Sequence, residues 1–113
     1  NDGNYSLPAG HLDINETVIQ ALKRESFEEI GVTLKDEDTK LVHTMHRLAS
    51  SYIDLFSVSM KWSGEIINAE PNKCDDLKWF DLNNLPDNMV LSVKSAIENY
   101  KNNKVFSDFL LDA

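Results

Sequence analysis

Positive charge is scarce in this chain of 113 residues: 11 Lys and Arg stand against 19 Asp and Glu, a formal net charge of −8. Affinity for DNA, RNA or an anionic membrane rests on many Lys/Arg–phosphate contacts, so neither a nucleic-acid polymer nor a membrane is expected as a partner. A polyanionic small molecule can still bind through metal ions. Cysteine is almost missing. Cys74 alone excludes an intrachain disulfide and any multi-cysteine zinc site, and it suits a reducing compartment, which points to the cytoplasm. Long apolar runs are absent, so no transmembrane helix is expected, and the start Asn1-Asp2-Gly3 lacks the basic and apolar plan of a signal peptide. There is no internal repeat and no low-complexity stretch. What is present is 42% hydrophobic and 9% aromatic residues, enough for one core, and the chain reads as a single domain over residues 1–113.

Periodicity divides the chain. Residues 13–30 read as a helix, with Asp13 and Glu16 resembling a capping box and Gly31 placed to take the left-handed conformation that ends helices. Residues 40–47 and 52–62 read as strands. In the second, Phe56, Val58, Met60 and Trp62 alternate with Ser57, Ser59 and Lys61, which predicts one buried face. Short strands are expected at 65–68 and 77–82. After Pro86, Val90, Val93, Ile97 and Tyr100 recur at helical spacing. Interleaved strands and helices argue for an α/β or α+β sandwich.

The first helix carries the chemistry. Turned at 100° per residue, Val18, Ile19, Leu22, Ser26 and Ile30 share one arc, expected to face the core with Ser26 at its middle. Glu25, Glu28 and Glu29 flank that arc rather than opposing it. Carboxylates at i, i+3 and i+4 repel one another, so their placement asks for a counter-ion. A hard divalent cation such as Mg²⁺ accepts oxygen ligands and leaves positions for water and substrate phosphate, an arrangement suited to phosphoryl chemistry. A solvated acidic face is the ordinary reading of an isolated Arg-Glu-x-x-Glu-Glu run. Here, however, the run completes a longer pattern: Gly10, five residues, Glu16, seven residues, Arg24-Glu25, two residues, Glu28-Glu29, one residue, Gly31-Val32.

This pattern closely resembles the signature of the Nudix hydrolases, with all seven specified positions filled. The chain's own residue frequencies put a chance match on the order of one in ten million. Ser26 stands where the signature prefers a larger apolar residue, and Ala9 where Pro-Gly-Gly is common, but neither change removes a ligand. The resemblance runs from Leu7 to about Tyr100 and implies an α/β/α sandwich with a mixed β-sheet. Such domains usually place a first strand and hairpin ahead of the signature glycine, and only nine residues precede Gly10. The chain is therefore expected to lack that first N-terminal strand.

The resemblance also assigns roles. The Gly10 carbonyl and the carboxylates of Glu25, Glu28 and Glu29 are implied as ligands of Mg²⁺ or Mn²⁺, and Arg24 as the residue that orients neighbouring carboxylates. Glu16, in the first turn of the expected helix, is open to a structural role, paired with Arg24, or a catalytic one. Glu25 and Glu70 are both candidates for the base that accepts a proton from the attacking water. Glu70 alone among the later acids precedes a proline in a polar connection, Asn68-Ala69-Glu70-Pro71-Asn72, which restricts its backbone to extended conformations. His43 and His46, three apart on a strand, face opposite ways and do not suit a shared metal. Cys74 reads as a small semi-buried thiol, Phe56, Trp62 and Trp79 as core, and Tyr5 and His11 as surface.

The implied reaction is metal-dependent hydrolysis of a diphosphate linkage in a nucleoside diphosphate derivative, with a nucleoside triphosphate pyrophosphohydrolase as the default. A homodimer is common among similar proteins. Two alternatives stand beside it. A non-catalytic, regulatory Nudix-like domain usually loses catalytic glutamates, which this chain keeps. An isopentenyl-diphosphate isomerase needs a cysteine ahead of the signature, and residues 1–9 contain none.

Overall fold

The computed structural model describes residues 4–7, 13–72 and 76–111. Within them the chain forms α1 (Val18–Ile30), β1 (Thr39–Arg47), β2 (Tyr52–Ser59), α2 (Leu91–Lys101) and β3 (Phe106–Phe109), with a 3-10 turn at Asp36–Asp38. These elements fall into two compact units. The described residues of Leu7–Lys40 and Ser59–Trp79 carry α1, and those of Asp2–Ser6, Leu41–Val58 and Phe80–Ala113 carry most of the sheet and α2. Gly10, His11 and Cys74 lie outside the described residues. No helix among the described residues is long and apolar enough to cross a membrane.

In the second unit β1 is the central strand of a β2-β1-β3 sheet. Residues 48–51 join β1 to β2, too short a connection for a parallel return, so this pair is antiparallel; Ser51 takes φ 61° in the turn. β3 runs parallel to β1, with Thr44 opposite Phe106 and Arg47 opposite Phe109. The sheet is therefore mixed, as expected. Side chains alternate across it. On one face Met45, fully buried, packs with Phe109, Phe56 and Ala96 of α2. Met89, Val93 and Ile97 form a second cluster with Tyr5, Leu85 and Val90. The helical spacing seen after Pro86 is thus a packing face, with Ser92, Val93, Ala96 and Ile97 buried. His43 is buried on the same sheet face as Met45. Its Nδ1 lies 2.8 Å from the carbonyl oxygen of Lys104, which can only accept, so Nδ1 donates, and its Nε2 lies 2.8 Å from the Ser107 hydroxyl. His46 points the other way, to Asp108 at 3.0 Å.

Tyr5 belongs to this unit and is built in: it pairs with Met89 in an isolated parallel bridge, and its ring meets Phe80 edge-on at 4.9 Å. It is half-buried, not the surface residue expected.

In the first unit α1 begins later than the sequence pattern suggests. The capping box is made by Thr17 and Gln20: the Thr17 hydroxyl accepts from Gln20 N at 3.1 Å, and the Gln20 side chain accepts from Thr17 N at 2.9 Å. Asp13 and Glu16 do meet, Asp13 N donating to Glu16 Oε1 at 3.0 Å, but they do so in a turn ahead of the helix. Glu16 therefore sits before the N-cap and not in the first turn. At the other end Gly31 takes φ +76°, and its N–H bonds to the carbonyl of Phe27.

Several strand expectations fail, for reasons of pairing. β2 stops at Ser59, and Met60 and Trp62 are exposed rather than buried. The chain beyond it pairs Ser63 with Thr33 in an isolated antiparallel bridge. Residues 65–68 form no strand because their neighbourhood serves the end of α1: Ile67 N donates to Ile30 O at 2.9 Å and Ala69 N to Glu29 O at 3.1 Å. These bonds satisfy carbonyls that a helix terminus leaves open. The described part of residues 77–82 is irregular. There Trp79 lies against Trp62 with ring centroids 5.8 Å apart, and both are exposed, against the expectation of core.

Candidate active site

Helix α1 buries only Ala21 completely; Val18, Ile19, Leu22, Ser26 and Ile30 are half-buried. The arc expected to face the core is the less exposed side, but Ser26 is not at a sealed centre. What α1 does carry is a dense ionic network around one guanidinium. Arg24 grips Glu16 with two parallel bonds, Nε to Oε2 at 2.8 Å and Nη2 to Oε1 at 3.0 Å. Its remaining nitrogen, Nη1, reaches Glu25 Oε1 at 3.0 Å and both oxygens of Glu28 at 3.4 Å. Asp13 Oδ2 lies 3.3 Å from Nε. The fork-to-fork geometry is the strong form of the pair, and it fixes the plane of the guanidinium.

The electrostatics follow from this geometry. Hydrogen bonding from Arg24, and then from the Asp13 backbone, holds the Glu16 carboxyl below the usual carboxylate range. The same bond with Glu16 pushes Arg24 further up, so it is cationic at every physiological pH. Exposure is graded: the side chains of Glu16 and Glu25 are 13% and 19% exposed, that of Glu28 45%. Glu28 is thus the most open of the three glutamates, while Asp13, at 68%, is the most exposed member of the network.

Of the remaining candidates, Glu29 is half-buried and has its Oε2 buried. Glu70 is half-buried in the loop whose preceding residues bond the end of α1; the Ala69 N to Glu29 O bond puts the residue before Glu70 against the backbone of Glu29. The Glu70 amide is held by Asn68 Oδ1 at 3.3 Å. The structure thus brings Arg24, Glu25 and Glu28 together with Glu16, and it places the Glu70 loop at the C-terminal end of the same helix. Asp13 is the member the spacing pattern does not single out. Its clue in the sequence is the three-residue interval to Glu16.

The donor set is all carboxylate, which suits Mg²⁺ or Mn²⁺ and not a soft metal. Among the described residues no three acids, histidines or cysteines are grouped so as to hold a metal ion; Gly10, whose carbonyl is an expected ligand, lies outside them. The chemistry of the donor set nonetheless fits a hard divalent ion.

The chain is similar to known proteins over most of its length. The chain is 28% identical to the NAD-capped RNA hydrolase NudC of Stutzerimonas stutzeri over 87% of its own length and 33% of that protein's. It is 29% identical to the NudC of Chromobacterium violaceum over 74% of its length and 31% of that protein's. The chain therefore spans about a third of the length of these curated relatives. Among solved structures, the MutT Nudix hydrolase of Burkholderia pseudomallei superposes with a TM-score of 0.76 at 28% identity, covering 85% of this chain and 76% of that one. Nudix hydrolases generally use divalent metal ions. The family model for the Nudix domain matches residues 1–100, and with the signature intact from Gly10 to Gly31 the chain belongs to the Nudix hydrolase family.

Proposed function

We propose that this chain, as a single domain over residues 1–113, hydrolyses the diphosphate linkage of a nucleoside diphosphate derivative with the help of Mg²⁺ or Mn²⁺. The observation that carries this reading is the network in which Arg24, Glu25 and Glu28 of one helix meet Glu16 from the turn ahead of it, with Glu29 on the same helix and the loop preceding Glu70 bonded to the helix end. Glu25, Glu28 and Glu29 would hold the metal, together with the carbonyl of Gly10, which lies outside the described residues. The ion supplies charge neutralisation at the phosphate oxygens and a lowered pKa for water. Arg24 keeps Glu25 aimed through a short bond from Nη1, and Glu16 keeps Arg24 aimed. Glu25 or Glu70 accepts the proton of the attacking water. The lone Cys74 and the acidic composition suit a cytoplasmic protein, and a homodimer is an assembly common among similar proteins.

Two substrate classes are in play. Nucleoside triphosphates are the default from the sequence. The similarity to the NAD-capped RNA hydrolases NudC favours a diphosphate joining two nucleosides, as at the NAD end of a capped RNA. Against long RNA stands the net charge of −8. The deciding experiment offers the protein a nucleoside triphosphate, NAD and NAD-capped RNA, each with Mg²⁺, with Mn²⁺ and with chelator, and follows pyrophosphate and nucleoside monophosphate release. Metal-dependent turnover of at least one, with most of it lost in Glu28→Gln while the melting temperature holds, is expected. Turnover unaffected by chelator, or near-wild-type turnover in the variant, overturns the assignment.

A further inference from the structure

In the first unit Lys23, Arg24 and Lys78 each hold a carboxylate. Lys35 and Lys61 of the same unit hold none among the described residues, and both line one concavity of about 190 Å³, together with Thr33, Asp38, Trp62 and Ser63. Trp62 is exposed and lies against Trp79, also exposed, with the ring planes 30° apart. An uncovered indole beside two ammonium groups and a single carboxylate is a locally positive, aromatic place on a chain of net charge −8. We infer that this concavity binds a mononucleotide, with the base on Trp62 and the phosphate between Lys35 and Lys61. The inference is independent of the proposed reaction, because none of these residues belongs to the carboxylate network of α1.

Two chain segments form the concavity, and they are tied together at two places. Thr33 and Ser63 exchange both backbone bonds, each at 2.9 Å. The Ser59 hydroxyl lies 2.9 Å from the Asp38 carbonyl oxygen and 2.8 Å from that of Lys61, and donates to either. Lys35 and Asp38 on one segment are therefore held beside Lys61 and Trp62 on the other before a ligand arrives, which lowers the ordering cost of binding. Each part of a mononucleotide finds a partner of its own chemistry. Every base has a π-face that an indole accepts. Two ammonium groups serve a phosphate as point charges, and the Asp38 carboxylate is an acceptor for a ribose hydroxyl. Inorganic phosphate would leave the indole unused, and an uncharged aromatic would leave the lysines unused. The volume is below the roughly 300–1,000 Å³ of an enclosed ligand site, so a single nucleotide fits partly exposed. The net charge of −8 opposes a longer polyanion.

Trp62 and Trp79 are the only tryptophans of the chain, so their two indole N–H signals in a nitrogen–proton spectrum report on this site. AMP, adenosine and inorganic phosphate are titrated separately into the full chain with chelator present, which keeps metal-bound phosphate out of the reading. AMP is expected to move the Trp62 signal to saturation, with adenosine and phosphate each binding about tenfold more weakly. Lys35→Ala combined with Lys61→Ala should weaken AMP about tenfold, to the level of adenosine, and leave adenosine unchanged. Trp62→Leu, followed by calorimetry, should weaken AMP and adenosine alike by at least about fivefold. Both lysines are exposed, so the lysine variant keeps the fold, as melting checks, and it decides alone should Trp62→Leu fail to fold. Indole signals unmoved by AMP up to about 10 mM, or undiminished AMP binding in the lysine variant, overturn the inference. An oligoadenylate bound more than about tenfold more tightly than AMP overturns the single nucleotide as occupant. With no metal present, none of these outcomes bears on the proposed hydrolysis.

Discussion

Helices α1 and α2 are of similar length, 13 and 11 residues, yet they are held in opposite ways. Helix α2 buries Ser92, Val93, Ala96 and Ile97 and takes part in both apolar clusters of its unit. Helix α1 buries Ala21 alone and leaves Phe27 62% exposed. Its order comes from its ends and its charges: a capping box at Thr17 and Gln20, a left-handed glycine at position 31, backbone bonds from Ile67 and Ala69 to its last carbonyls, and the Arg24 network along its side. One helix is stabilised by packing. The other is fastened by polar bonds at its ends and along its side, which do for α1 what the apolar face does for α2.

The largest expected effect exposes this contrast directly. Ile97→Ala should destabilise the fold by about 2–5 kcal/mol, the range for removing a buried aliphatic side chain. Phe27→Ala removes a larger side chain from α1 and should cost less than about 1 kcal/mol, because most of that ring already meets water. Urea denaturation of the two variants makes the comparison. Equal losses would mean that α1 is packed as tightly as α2, and the distinction would fall.

How much of this could be read from the sequence follows the same division. The network around Arg24 is local: Glu16, Arg24, Glu25 and Glu28 lie within thirteen positions of one another; helical periodicity sets Arg24 beside Glu28 four positions on, and Glu16 reaches Arg24 from the turn ahead of the helix. Gly31 is legible because a glycine after a periodic run has few other uses. The first turn was misplaced by four residues since Asp13 and Glu16 satisfy the same spacing rule as Thr17 and Gln20, and only the backbone shows which pair caps the helix. The sheet was less legible. Met60 and Trp62 continue the alternation of β2 perfectly, but alternation says nothing of where a partner strand stops. β3, four residues that pair with a strand about sixty positions earlier, has no periodicity long enough to detect. His43 has no sequence signal for its bonds to Lys104 and Ser107, which exist only because that pairing forms.

A middle-sized effect tests the fastening of the helix end. At Gly31 a Cβ would lie 2.8 Å from Ile67 Cγ1, and the backbone sits at φ +76°. Gly31→Ala therefore carries both the left-handed backbone cost and a collision, together about 1–3 kcal/mol. The double variant Gly31→Ala with Ile67→Ala removes the collision and keeps the backbone cost, so a double-mutant cycle separates them. A favourable coupling between the two substitutions is expected. Strict additivity would show that Ile67 turns aside at no cost, and that the helix end is held by the backbone bonds of Ile67 and Ala69 alone.

The smallest expected effect concerns the ionic side of the same helix and is read as a function of pH. Glu16 has its carboxyl held below the usual range, chiefly by the bonds from Arg24. Between the ordinary carboxylate value and the lowered native one, the unfolded chain binds a proton that the folded chain does not. Stability from this group is therefore complete above the ordinary value, falls as pH drops through that interval, and is gone below the native value. Glu16→Gln lacks the titration altogether. The wild type should accordingly melt higher than Glu16→Gln at neutral pH, with the gap closing as the solution is acidified and narrowing again in high salt, which screens an ion pair at the surface. Because the pair lies at the surface the gap is small, and the shape of its pH dependence is the decisive feature. A gap that stays constant into acid would mean that Glu16 acts through shape and hydrogen bonding rather than charge. The comparison between a packed helix and an electrostatically fastened one would then rest on the caps alone.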